Sequence, residues 1–145
     1  FGHVQSSWPG LVFSADGKSA GFAFRIGRLF HDDGYADHRC IAVDALRALS
    51  PEAFVLETNA PAAAELFLHT LPDGRTLLQL INLTGWNGMM MEKALPLSDI
   101  RISLPGEFDR VSSLDGAALP QLSHKDGRTE LLLNAERLYQ GYLLP

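Results

Sequence analysis

With 145 residues, 12 basic against 17 acidic side chains and a net charge of −5, the chain has the size of one ordinary domain, or of a small domain plus a piece of another. Folding at this length should bury about 68–70% of the unfolded surface. Lys and Arg are scattered singly, which argues against a nucleic-acid partner, and the lone Cys40 excludes an internal disulfide framework and a cysteine-based zinc site.

The longest uncharged stretch, Leu77 to Met91, contains Gln79, Asn82, Asn87 and two glycines. It lacks the roughly 20 apolar residues that span a bilayer, so a soluble chain with no membrane partner is expected. Unpaired Cys40 fits a reducing, cytoplasmic setting. The start at Phe1, with no signal-peptide layout, points to a piece of a longer protein.

Phe1 to Pro9 shows no period and reads as a lead-in. Leu11-Val12-Phe13, a turn over Ala15 to Lys18, and Ser19 to Arg25 predict a hairpin with a glycine turn. Ile26 to Gly34 reads as a connection. Asp37 is placed to cap a helix running to Leu49, with Ile41, Ala45, Leu46 and Leu49 on one side. Pro51 ends it, because proline disfavours helical geometry in the residue before it.

Beyond Pro51 the pattern is of short β runs: Phe54 to Glu57, Ala64 to Leu83, Ile100 to Leu104, Arg110 to Leu114, Leu119 to His124, Arg128 to Asn134 and Leu138 to Leu144. The first long pair turns at Pro72-Asp73-Gly74, and its second arm, Arg75 to Leu83, is apolar on both faces, as a central strand covered on both sides would be. Further punctuation falls at Asn59-Ala60-Pro61, Pro105-Gly106, Asp115-Gly116 and Asp126-Gly127. Such spacing predicts a mainly β chain, an antiparallel β-sandwich preceded by a β-hairpin and one α-helix, with a boundary between Pro51 and Pro61.

Signals of chemistry are sparse. His31, Asp32, Asp33, Asp37 and His38 are the one dense titratable cluster, but their spacing matches no ligand geometry, and turn chemistry with acids at a helix N-terminus accounts for them better. No metal or cofactor is expected. Trp86, between Thr84-Gly85 and Asn87-Gly88, has two readings: a lid packed on the sandwich edge, or an apolar ring face on which a sugar could stack. Met89-Met90-Met91 is expected to pack within its loop. Asn82-Leu83-Thr84 matches the N-glycosylation pattern, yet it ends a strand expected to be buried, so a structural asparagine bonding loop backbone is the better reading. Cys40 reads as a small core residue. No nucleophile motif, phosphate loop or carboxylate pair is recognisable.

Two runs carry a resemblance. GKSAGFAFRIGRLFHDDGYADHRCIAVDALRALSP, Gly17 to Pro51, resembles the closing strand and helix of the amidotransferase-like trimerisation domain of large β-galactosidase-like glycoside hydrolases. LETNAPAAAELFLHTLPDGRTLLQLINLTG, Leu56 to Gly85, with PLSDIRISLP at Pro96 to Pro105 and the run Leu138 to Leu144, is similar to the C-terminal β-sandwich of those enzymes.

The resemblance implies that residues 1–52 are the C-terminal part of an amidotransferase-like α/β domain and residues 53–145 an antiparallel β-sandwich. It further implies a non-catalytic accessory module of a bacterial-type glycoside hydrolase, since the family's two catalytic glutamates lie on an N-terminal barrel and no catalytic residue carries over. The implied partners are the catalytic domain of the same parent chain, a second copy of the chain and a carbohydrate. The apolar faces around Leu11, Phe13, Phe22, Phe24, Ile41 and Leu46 would pack on the sandwich or on another copy. The alternative is a carbohydrate-binding sandwich whose stacking residues are Trp86 and Trp8.

Overall fold

The computed structural model describes residues 7–145, so Phe1 to Ser6 of the expected lead-in lie outside the described residues. The chain divides into two compact units between Phe54 and Val55.

In the first unit, strands β1 (Leu11–Phe13) and β2 (Ala20–Phe22) pair antiparallel, with Leu11 opposite Phe22. Asp16 accepts bonds from the Ser14 hydroxyl at 2.6 Å and the Lys18 N–H at 3.2 Å, which rigidifies the turn. The second arm is shorter than expected, because a turn at Phe24 leads straight into helix α1 (Ile26–Asp33).

That helix corrects two expectations, the connection over Ile26 to Gly34 and the count of one helix. Its signals were weak: Gly27 lowers helix propensity by about 1 kcal/mol and only eight residues are helical. Half-buried Ile26 and Leu29 fall one turn apart, an Arg28–Asp32 pair at 3.0 Å spans i to i+4, and Gly34 ends the helix at φ 70°, its N–H bonded to the Phe30 carbonyl.

Helix α2 (Ala36–Leu49) forms as expected, but its cap and its buried face differ. Asp37 lies inside the first turn, preceded by extended Tyr35, and makes no capping bond, so it acts only through the dipole. The covered stripe is His38, Ala42, Ala45 and Leu49; Ile41 and Leu46 are 40% and 55% exposed. Cys40 is exposed too, correcting its reading as a core residue. Phe24 and Tyr35 approach the His38 ring at 6.3 Å and 5.8 Å between centroids, which is why a polar residue joins this face. Ser50 and Pro51 terminate the helix, and a 3-10 turn follows over Pro51–Ala53.

The second unit is two four-stranded antiparallel sheets. β4 (Ala64–Thr70), β5 (Thr76–Asn82), β10 (Tyr139–Leu144) and β7 (Ser112–Ser113) form one, in the order β4-β5-β10-β7. β3 (Glu57–Thr58), β6 (Leu97–Pro105), β9 (Arg128–Ala135) and β8 (Gln121–Lys125) form the other, in the order β3-β6-β9-β8. The runs expected at Phe54 to Glu57 and Arg110 to Leu114 contract to two-residue strands. Gly74 closes the β4–β5 turn at φ 86°, a conformation open to glycine, with its N–H on the Leu71 carbonyl.

Alternation decides which side chains meet between the sheets. Leu78, Leu80, Tyr142 and Leu144 from one sheet cluster with Ile100, Ile102, Leu104, Leu131, Leu133 and Ala135 from the other. Each buried Leu or Ile contributes about 1.5–3 kcal/mol of hydrophobic stabilisation. β5 is interior to its sheet as expected, but only its Leu78, Leu80 and Asn82 face is fully buried. Leu77, Gln79 and Ile81 are half-buried, so coverage on both sides was an overestimate. No helix among the described residues is long and apolar enough to cross a membrane.

Asn82 occupies a core-facing position of β5 with no solvent exposure. Its amide donates to the Leu95 carbonyl at 2.8 Å and the Ala135 carbonyl at 3.1 Å, and its oxygen accepts from the Thr84 N–H and hydroxyl. The structural reading of this residue over the glycosylation reading is correct. Asn82→Ala should strand buried backbone groups at a cost of about 2–3 kcal/mol. In thermal unfolding this corresponds to a fall in Tm of about 10 °C or more; a change within a degree or two would mean the bonds are dispensable.

Candidate functional site

Two places in the second unit concentrate polar and aromatic side chains. The first is the loop after β5. Gly85 has no room for a side chain, since a Cβ there would stand 2.7 Å from the Glu92 carbonyl oxygen and 2.8 Å from that of Lys93. Asn87 accepts bonds from the Met89 and Met90 N–H groups, both at 3.0 Å, and donates to Glu92 at 2.9 Å. Trp86 and Met91 form an antiparallel bridge. These constraints hold Trp86 outward, 55% exposed, beside Met89 and Met90 at 90% and 60%. Met89 and Met90 therefore do not pack within the loop as expected; the Asn87 side chain occupies the turn interior and turns them out.

Trp8, the other ring singled out, is 84% exposed and belongs to the first unit. The cluster of His31, Asp32, Asp33, Asp37 and His38 is dispersed into helix chemistry: Asp32 pairs with Arg28, and His38 lies among rings. Among the described residues no three His, Cys, Asp or Glu side chains are placed to hold a metal ion.

The second place is a cavity of about 240 Å³ at one end of the sandwich. Its apolar wall is Leu119, Leu132 and Leu133, and its polar groups are Asp99, Gln121, Asn134, Glu136, Arg137 and Gln140. A β-bulge in β6 between Leu97 and Ile100 places Asp99 there, at φ 56°. Gln140 is 2% exposed; its amide donates to Tyr142 Oη at 2.9 Å and to the Asn134 carbonyl at 3.2 Å, and Tyr142 Oη donates to the Ala118 carbonyl at 3.1 Å. Gln140 Oε1 has no hydrogen-bond partner among the described residues. A buried acceptor left so costs about 1–3 kcal/mol.

Charge around this network is asymmetric. Arg137 Nη1 donates to the Asp115 carbonyl at 2.9 Å and stands 3.6 Å from its carboxylate. Burial works to raise the Asp115 pKa, but bonds from the Ser113 hydroxyl and from backbone N–H groups outweigh it and hold the group below its ordinary value. Burial pushes Tyr142 up, reinforced by the Asp115 charge and opposed by the Gln140 bond and Arg137.

Sequence reasoning passed over this cavity. One signal was present: Gln140 shares a strand face with Tyr142 and Leu144, so it is a polar residue in a core register. A wider groove of about 550 Å³ beside Arg75, Phe108 and Arg110 has no buried unpaired polar atom among its lining residues.

No protein-family model matches the chain, and no curated protein matches it. Among solved structures it is similar to alpha-L-fucosidase isoenzyme 2 from Paenibacillus thiaminolyticus, with a TM-score of 0.76 and 21% identity, over 97% of this chain and 22% of the fucosidase. This chain thus spans about a fifth of the length of that enzyme. At such identity the likeness is one of fold, to part of a glycoside hydrolase chain.

The Tyr142 shift has a pH consequence. A folded-state pKa above the unfolded value of about 10 favours the neutral phenol, so its stabilisation is complete below pH 10 and is lost as pH rises through the folded value. Urea midpoints measured from pH 8 upward should fall above about pH 10, and Tyr142→Phe should flatten that fall while lowering stability at pH 8. An unchanged alkaline slope in the variant would rule out Tyr142 as its source.

Proposed function

We propose that the chain is a non-catalytic accessory module of a glycoside hydrolase, supporting and assembling the catalytic domain of its parent chain. The observation that carries this reading is the coverage: nearly all of this chain follows the fold of about a fifth of a glycosidase. The acidic residues at the sandwich cavity, Asp99 and Glu136, are solvent-exposed, and glycoside hydrolysis asks for a carboxyl pair with one member held in apolar surroundings.

The finer reading places the parent among β-galactosidase-like enzymes and the first unit at the end of an amidotransferase-like domain. The exposed apolar side chains of that unit, among them Val12, Phe13, Phe24, Ile41 and Leu46, support it, since a larger α/β domain or a second copy of the chain would cover them. Incubated with 4-nitrophenyl α-L-fucoside or β-D-galactoside, the isolated chain should release no nitrophenol above the buffer rate. Turnover abolished by replacing an acidic residue of the sandwich would overturn the accessory role.

A second reading, a carbohydrate-binding module, is favoured by the exposure of Trp86 on a loop braced by Asn87. Trp8 offers a further exposed ring in the first unit. Under this reading, titration with galactosides or fucosides should change tryptophan fluorescence saturably, and Trp86→Ala should remove the change. A flat titration in the unaltered chain dismisses it.

A further inference from the structure

We propose that the 240 Å³ cavity bounded by β6, β9 and β10 binds one small neutral polyhydroxylated molecule, the size of a single sugar ring, through Asp99 and Asn134. This site is separate from the Trp86 loop and does not depend on the accessory-module reading.

Size sets the first limit. Pockets for drug-sized ligands start at about 300 Å³, so this one admits a single ring and little more. Chemistry sets the second. Leu119, Leu132 and Leu133 contribute apolar lining, suited to the C–H face of a pyranose, and the rest of the lining is largely polar.

The hydrogen-bonding capacity left over is of both kinds. Asn134 uses its oxygen on the Asp99 N–H at 3.1 Å, which leaves its amide to donate. Both bonds of Asp99 are made by its backbone, which leaves its solvent-exposed carboxylate to accept. A hydroxyl both donates and accepts, so it matches this mixture. A cation would meet the Arg137 guanidinium in the same cavity, and an anion would meet Asp99 and Glu136.

Asp99 gives a second line of argument. Among the described residues only Asp99 and Asp126 are non-glycine residues with positive φ, and Asp126 is explained by its Asp-Gly turn. At the β6 bulge a glycine would meet the backbone requirement with less strain, and both local bonds of Asp99 are made by its backbone, the N–H to Asn134 and the carbonyl from Asn59. The carboxylate is thus held at the cavity by a backbone that does not need it, a pattern found where strain serves a site.

The test is a nuclear magnetic resonance titration of the whole 145-residue chain with D-galactose and L-fucose, with calcium chloride and sodium sulfate as ionic controls. The side-chain amide signals of Asn134 should move saturably with at least one sugar, at a Kd in the millimolar range, while the Trp86 indole signal stays in place. Asp99→Gly keeps both backbone bonds and relieves the positive φ, so it should melt no lower than the parent and bind the sugar about tenfold or more weakly. The proposal is overturned if neither sugar moves the amides, if the salts move them as far, if the change is confined to the Trp86 indole, or if Asp99→Gly binds as the parent does. Should that variant melt lower, the titration of the unaltered chain decides alone. An unoccupied cavity together with no glycosidase turnover would reject this inference and leave the accessory role standing.

Discussion

The buried amide of Asn82 ties the sandwich together. It sits on β5 in one sheet and donates to the carbonyl of Ala135 on β9 in the other, and Gln140 on β10 makes a second polar link between the layers at the neighbouring Asn134 carbonyl. Its second donor bond, to Leu95, fixes the segment that enters β6, and its oxygen turns the chain at Thr84 toward Trp86. Dispersion and hydrophobic burial are tolerant of register, whereas a hydrogen bond in a dry interior is not. The Trp86 loop leaves from one side of this anchor, and Asn134, Glu136 and Arg137 follow or flank its partner on the other.

Much of this architecture was legible in the residues. Ile100, Ile102 and Leu104 alternate with Arg101 and Ser103, and Thr129, Leu131 and Leu133 with Glu130, Leu132 and Asn134; the first set of each is buried, and the glycines of the turns at Gly74, Gly106, Gly116 and Gly127 all adopt positive φ. Asn82 was legible too, because a polar residue closing an apolar strand has few other uses. Helix α1 was not, since eight residues with an internal glycine give periodicity too little length to register. Of the stripe expected for α2, Ala45 and Leu49 are covered while Ile41 and Leu46 are not; Ala42 and His38, whose ring packs with Phe24 and Tyr35, stand in their place. The cavity was invisible for a different reason. Asp99, Asn134 and Gln140 come from three strands and are joined by sheet pairing and a bulge, neither of which a linear pattern records.

Fold and function separate clearly in this chain. A likeness to part of an alpha-L-fucosidase structure at 21% identity fixes how the backbone runs and leaves the chemistry to be argued from side chains. The first unit has short strands and several exposed apolar side chains, while the second has a core cluster drawn from both of its sheets.

The loop around Gly85 and Asn87 has one more consequence. Because carbonyls of Glu92 and Lys93 crowd Gly85 and the Asn87 side chain captures two N–H groups, the main chain on either side of position 86 has few other paths open to it. Its ordering is met as the sandwich folds, so whatever lands on that loop has only the side chains left to still.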